Sequence, residues 1–496
     1  MPLQRQSHLG RSLGGQLCLE KPQQVHPAES LGPNHISILP DEILFEILSC
    51  IPPETNCHRY EYIKDRESFP LTLVCRKWRR VYEPTFFRTI TTRYPASLKL
   101  SRMRELWSLL DTRPYLRGYP RKICILMHRT LAHAAICRIL TAIIKCCTGL
   151  REVSFYSEYT PEACAILSTI SALPRLEHLE LGGPSLQLFL EDFTLPSLKS
   201  LVLCRYGGRN PEDSSSTPSR GEPLPISQTY LDHLLPPSRY HTGGVTRMSL
   251  EEPSCHSNVT EHILRWPLAL TDLSISLSHS AGGKYYTVEA MQRILDIHRS
   301  SLQRVTIGII PGTSLKHAGS PDFSSFPRLE TLRMSAYNLI GSETATEAAR
   351  KVSAPNLRCV TLSFCTEDQD PPSRRDFGKD QVVWATEFAK VRKEKYPESR
   401  LEKLVVEFDT GEDHHQHRRL LLGPPEHVLA SGVAERLTWP WEYLEEAKRC
   451  AAEFDLRIDY EARCTKEEWD RIVLGQKVEM PDVLEDLQPG FDGLFL

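Results

Sequence analysis

One pattern governs the chain from about residue 120 onward: an apolar residue, two variable ones, an apolar residue, one variable, and an apolar residue. It runs through Leu150/Val153/Phe155, Leu176/Leu179/Leu181, Leu198/Leu201/Leu203, Val245/Met248/Leu250 and Leu270/Leu273/Ile275. It continues through Leu302/Val305/Ile307, Leu329/Leu332/Met334, Leu357/Val360/Leu362 and Leu401/Leu404/Val406, and Ile123 with Ile125 fits an imperfect earlier copy. First positions recur at intervals of 22 to 47 residues. A length of 496 residues alone would suggest about three domains, but a recurring unit of this size overrides that count. The last two apolar positions lie two apart, the spacing of a strand with one buried face.

Proline stands two residues before the first apolar position in four copies, at Pro174, Pro196, Pro327 and Pro355. It stops a preceding helix and is tolerated at the entry to a strand. Helical patterns precede several strands, over Pro161–Ala172, Thr287–His298, Glu343–Val352 and Gln381–Lys395. The expected unit is helix, proline or turn, short strand. Stacked units bury their apolar strand positions against the helices, which no single unit could do. Two intervals are long because they hold insertions. Gly207–Pro225 has 3 Gly, 4 Pro and 4 Ser among 19 residues, and Thr366–Asp380 has 8 charged residues among 15. Both insertions, about 206–228 and 366–380, are expected to be mobile. The expected fold class is α/β, with an irregular solenoid over 91–436 and a C-terminal cap over 437–496. The cap should hold a helix at Trp441–Phe454, a strand at Leu456–Tyr460 and a last helix at Thr465–Leu474. Residues 1–34 read as a disordered tail.

Composition narrows the partners. Lys+Arg 60 against Asp+Glu 63 leaves a net charge of −3, which argues against electrostatic nucleic-acid binding. Arg138 and Lys145 interrupt the most apolar long stretch, Ala134–Leu150, so no membrane span is expected. The 15 cysteines are scattered, no C-x-x-C occurs, and the neighbours Cys146 and Cys147 cannot both serve one ordinary bridge. Reduced, mostly buried thiols in a cytoplasmic or nuclear protein are expected. Glu412-Asp413-His414-His415-x-His417 has the composition of a metal site, but it lies in a polar connector and reads as a surface loop. Trp439-Pro440-Trp441 reads as a wedge in the cap. No phosphate loop, dinucleotide fingerprint, H-E-x-x-H or G-x-S-x-G is present. Nothing nominates a catalytic residue, a cofactor or a metal.

Near the N-terminus, Leu39-Pro40-Asp41-Glu42 opens a helix, with proline in its first turn and two acids complementing its dipole. Ile43, Ile47 and Ile51 fall at i, i+4, i+8, with Leu44 and Leu48 beside them, and Pro52-Pro53 stops the stripe. A second pattern puts Leu71, Val74, Cys75, Trp78, Val81 and Tyr82 on one face, with a solvated basic face around Arg76-Lys77-x-Arg79-Arg80, and Pro84 closes it. The run Leu39-Pro40-Asp41-Glu42-Ile43-Leu44-x-x-Ile47-Leu48-x-x-Ile51, followed by Leu73-Val74-Cys75-Arg76-x-Trp78-Arg79, resembles an F-box over 35–90. With the leucine-rich-repeat-like units behind it, the whole chain is similar to F-box proteins of the filamentous-fungal type. Two departures stand out. The segment Pro52–Pro70 between the halves is longer than the family usually shows. The repeats also lack the asparagine that usually follows the strand, and only Cys365 fits that position.

The resemblance implies a non-catalytic substrate-recognition subunit of an SCF-type ubiquitin ligase. Its F-box would dock on a Skp-family adaptor, which links through cullin to the catalytic ring-finger module. The implied adaptor-binding residues are Leu39, Pro40, Ile43, Leu44, Ile47, Leu48, Val74, Cys75 and Trp78. The repeats would hold a protein target. In such arrays the variable residue between the second and third apolar positions faces outward, giving Ser154, Glu180, Val202, Ser249, Ser274, Thr306, Arg333, Thr361 and Val405. Ser249, Ser274, Thr306 and Arg333 are the candidate target-binding residues. A hydroxyl-rich row suits a protein partner, since a phosphate-rich ligand would call for an arginine cluster. The alternative is a scaffold protein whose F-box holds a Skp-family adaptor outside any ligase. An enzyme would need a deep polar pocket with converging ionisable groups.

Overall fold

The computed structural model describes residues 40–49, 76–93, 100–127, 134–157, 161–183, 195–204, 231–232, 235–253, 255–277, 286–310, 319–364, 377–407 and 440–460. The expected tail, the 206–228 insertion, residues 366–376 and the helix at Thr465–Leu474 lie outside them. The histidine-containing segment 412–417 and Trp439 lie outside them too. The described residues fall into two compact units that meet in the chain at Tyr82 and Glu83.

The first unit contains α1 (Asp41–Ser49) and the start of α2 (Arg76–Phe86). The second is mixed α/β. Its twelve strands are β1 (Thr89–Arg93), β2 (Lys122–Met127), β3 (Glu152–Ser157), β4 (His178–Gly182), β5 (Ser200–Cys204), β6 (Arg247–Glu251), β7 (Asp272–Ser276), β8 (Arg304–Ile307), β9 (Thr331–Ser335), β10 (Cys359–Ser363), β11 (Lys403–Glu407) and β12 (Arg457–Tyr460). They form one open sheet in which neighbours in space are neighbours in sequence. Every pairing is parallel and none slips in register. The helices are α3 (Leu100–Thr112), α4 (Ala134–Cys146), α5 (Pro161–Ser171), α6 (Ser257–Leu264), α7 (Val288–Asp296), α8 (Ala336–Leu339), α9 (Ala345–Lys351), α10 (Lys379–Lys395) and α11 (Pro440–Ala452).

A strand order that never reverses, combined with right-handed crossovers, puts every connecting helix on the same side of the sheet. Burial follows from this. Val153 and Phe155, Leu179 and Leu181, Leu273 and Ile275, and their equivalents are sealed in one continuous core with the helices. Each such side chain contributes about 1.5–3 kcal/mol relative to leaving it in water. Helix ends are fixed by local chemistry. The Thr287 hydroxyl accepts from the Ala290 amide at 3.2 Å at the start of α7. Thr344 and Glu347 make a reciprocal capping box on α9, which satisfies two otherwise orphaned amides.

Within the second unit, side chains also staple consecutive helix–strand segments together. Buried His262 donates from Nε2 to the Leu235 carbonyl at 2.8 Å and accepts the Tyr240 hydroxyl on Nδ1 at 3.1 Å. Buried His298 donates from Nε2 to the Leu264 carbonyl at 2.7 Å. Burial holds both imidazoles below the usual histidine range, so they are neutral. On α10, Arg392 donates to the carbonyls of Leu401 and Phe454, each at 2.7 Å, tying the C-terminal strands to that helix.

Four features differ from the sequence reading. α2 runs past Pro84 to Phe86; in a last turn the proline removes one hydrogen bond rather than breaking the helix. The sheet begins at β1, which crosses residue 90, and Phe87-x-x-Ile90-x-Thr92 is the same pattern with threonine in its third place. At the other end β12 pairs with β11, so the segment read as a cap extends the sheet. Phe377 is fully buried against Phe364, with ring centroids 5.8 Å apart, which fixes the last residues of the 366–380 segment to the core.

Candidate functional site

On α1, the Asp41 carboxylate receives Arg80 Nη2 of α2 at 2.5 Å and lies 3.6 Å from Lys77 Nζ. Such an exposed pair sets geometry more than stability. Leu44 is fully buried and does not face solvent. Ile43 is 47% exposed, as is Phe45, which the motif does not name; Pro40 is exposed as well. Ile47, Leu48 and Trp78 lie on these helices, but their side chains are outside the description. Leu39, Val74 and Cys75 lie outside the described residues.

In the second unit the outward strand positions form rows across the sheet. Ser249 pairs with Ser274, Ser274 with Thr306, and Thr306 with Arg333. All four candidate target-binding residues therefore stand side by side on adjacent strands. The three hydroxyl residues are half-buried and Arg333 is exposed. Arg333 Nε donates to Glu407 Oε2 on β11 at 2.8 Å, reaching across β10. Along the same face, Arg304 pairs with Asp272 and Lys403 with Asp459 at 2.7 Å. The face is polar and mostly charge-compensated.

The same row looks different at β3 and β4. Ser154 and Glu180 are partners in register, and Glu180 is only 4% exposed although it points away from the apolar core. Its Oε2 accepts from Ser154 Oγ at 2.6 Å and its Oε1 accepts from the Tyr156 hydroxyl. Tyr156 pairs with Gly182, and a Cβ there would sit 2.1 Å from the tyrosine ring. Only glycine lets that ring lie down on the sheet and close over the carboxylate. Cys204 extends the network with its Sγ 3.9 Å from Glu180 and 3.2 Å from Glu251, and Ser249 Oγ donates to Glu251 at 3.4 Å.

The protonation states fit that network. Burial, then the hydrogen bond to Glu180, pushes the Tyr156 phenol above its usual range. Burial, then the Glu251 charge, pushes the Cys204 thiol up. Both groups keep their protons and donate. Tyr156, Gly182, Cys204 and Glu251 were not singled out from sequence. Each stands two residues beyond a member of the expected outward row, the next position on the same face. That spacing was the available signal.

Among the described residues no three histidine, cysteine, aspartate or glutamate side chains are grouped to hold a metal ion. No helix among them is long and apolar enough to cross a membrane. The arrangement offers hydrogen-bonding hydroxyls and an ion-paired arginine on one polar face. No protein-family model matches the chain, and no curated protein matches it either.

Proposed function

We propose that this chain is a non-catalytic substrate receptor of an SCF-type ubiquitin ligase, with an N-terminal F-box followed by a leucine-rich-repeat-like solenoid. The observation that carries the reading is the in-register row Ser249–Ser274–Thr306–Arg333 on the sheet face opposite the helices. A sequential parallel sheet with one apolar and one hydroxyl-rich face is the build expected of a repeat protein that holds another protein. The N-terminal segments with Leu39, Pro40, Ile43, Ile47, Leu48, Val74, Cys75 and Trp78 would engage a Skp-family adaptor and, through it, cullin, in the cytoplasm or nucleus. Its function is tethering: a bound target meets the ubiquitin carrier at high effective concentration. No residue of this chain performs chemistry in that scheme.

Affinity purification of the full-length chain from cells tests the reading. The wild type should bring down both a Skp-family adaptor and cullin, and the L39A/I43D variant should lose both while keeping its thermal transition. Adaptor without cullin would point to the scaffold role instead. Adaptor retained by a folded double variant would overturn the F-box assignment.

A further inference from the structure

The chain of α4 leads into two consecutive cysteines whose sulfurs face each other. Cys146 Sγ lies 4.0 Å from Cys147 Sγ and 3.1 Å from the Ile143 carbonyl oxygen. Both are free thiols; Cys146 is partly exposed and Cys147 is fully buried in the main core. The hydrogen bond from Cys147, aided by the Arg117 guanidinium, holds the Cys146 thiol below its usual range. The accessible sulfur is thus the more readily ionised of the two. Its neighbour's hydrogen bond and burial push the Cys147 thiol up, so that sulfur keeps its proton.

The geometry selects among ligands for such a pair. A disulfide would need the sulfurs to close from 4.0 Å to about 2.05 Å between adjacent residues. The Cys147 amide is already bonded to the Ile143 carbonyl at 3.1 Å, so that closure would disrupt the helix end. A zinc-type ion takes three or four protein ligands, and among the described residues no third ligating side chain joins the pair. A trivalent arsenical asks for two sulfurs and leaves a neutral product.

We propose that Cys146 and Cys147 form a binding site for a trivalent arsenical, bridged by both sulfurs. Starting from an R–As(OH)2 species, two As–S bonds form and two As–O bonds break. Each thiol proton leaves with one hydroxide as water, and arsenic stays trivalent throughout. Attack by Cys146 comes first because it is the reachable sulfur. The arsenic then sits beside the Cys147 sulfur, so the second bond forms intramolecularly.

Phenylarsine oxide added to the full-length chain tests this, with intact-mass readout after an excess of monothiol and again after 2,3-dimercaptopropanol. The wild type should retain one more arsenical than C146S or C147A through the monothiol wash, and should lose it to the dithiol. C146S changes a partly exposed position and keeps the test decisive if C147A does not fold. Equal retention by the wild type and the folded variants would overturn the site.

Discussion

Glu180 and Ser274 occupy the same register row on the same face of one sheet, yet the first is sealed and the second is half-open. The difference lies two residues further along each strand. Beyond Ser154 stands Tyr156, whose ring folds over the row; beyond Ser274 and Thr306 stand Ser276 and Gly308, too small to cover anything. Outward strand positions are thus not equivalent. One large side chain with a glycine beside it turns the row into a closed polar network at β3–β5. Small residues leave it half-open at β7 and β8.

Breaking the closed half should have the largest effect. Glu180→Ala removes the acceptor for Ser154 and Tyr156, and should cost about 2–4 kcal/mol, since buried hydroxyls without partners are expensive. The urea midpoint should fall with an unchanged slope. A midpoint equal to wild type would mean that the network does not hold β3–β5 together. Gly182→Ala comes next, at about 1–3 kcal/mol, because the new Cβ displaces the tyrosine ring. Adding Tyr156→Ala should recover part of that loss, a coupling that a double-mutant cycle measures directly.

Acidification addresses the ground beneath the open half, where His262 and His298 staple consecutive units. Their folded-state pKa values lie below the unfolded value of about 6.5, so they favour the neutral ring. Their contribution is complete above that pH and is lost as pH falls through it toward the folded values. The melting temperature should drop between pH 7.5 and 5.5, and a His262→Gln/His298→Gln double variant should flatten that drop. A wild-type profile that stays level over this window would refute the staple role. The smallest stability effect belongs to the open row itself. Ser249→Arg, Ser274→Arg and Thr306→Arg should each change stability by no more than about 0.5 kcal/mol. Each should nonetheless reduce the set of proteins that co-purify with wild type, leaving adaptor binding alone. Unchanged capture would move recognition off this face.

The strands were legible in the sequence because their signal is local. All nine complete apolar triplets mark strands, and the single outward residue of each fell in one row, since a period of two fixes which face a residue takes. β1 escaped because Thr92 fills the place of the third apolar residue. The closed network escaped for another reason. Tyr156 and Glu180 stand 24 residues apart, and so do Glu180 and Cys204, so their meeting depends on pairing register that no single copy encodes. The histidine staples have no spacing rule at all: His262 reaches the Leu235 carbonyl 27 residues back and His298 the Leu264 carbonyl 34 residues back.

The unreversed strand order also sets how the molecule comes apart. Each strand bonds only to the strands before and after it in the chain, so loop closure during folding spans one unit at a time and contact order stays low for a sheet this large. A pull on the two ends would peel strands off singly, starting from β1 or β12. Arg333 to Glu407, a tie that skips β10, and the Arg392 clamp on Leu401 and Phe454 both lie toward the C-terminal side. Under load the chain should therefore unzip first from its N-terminal edge, and the force trace should show small, successive releases there before the larger one.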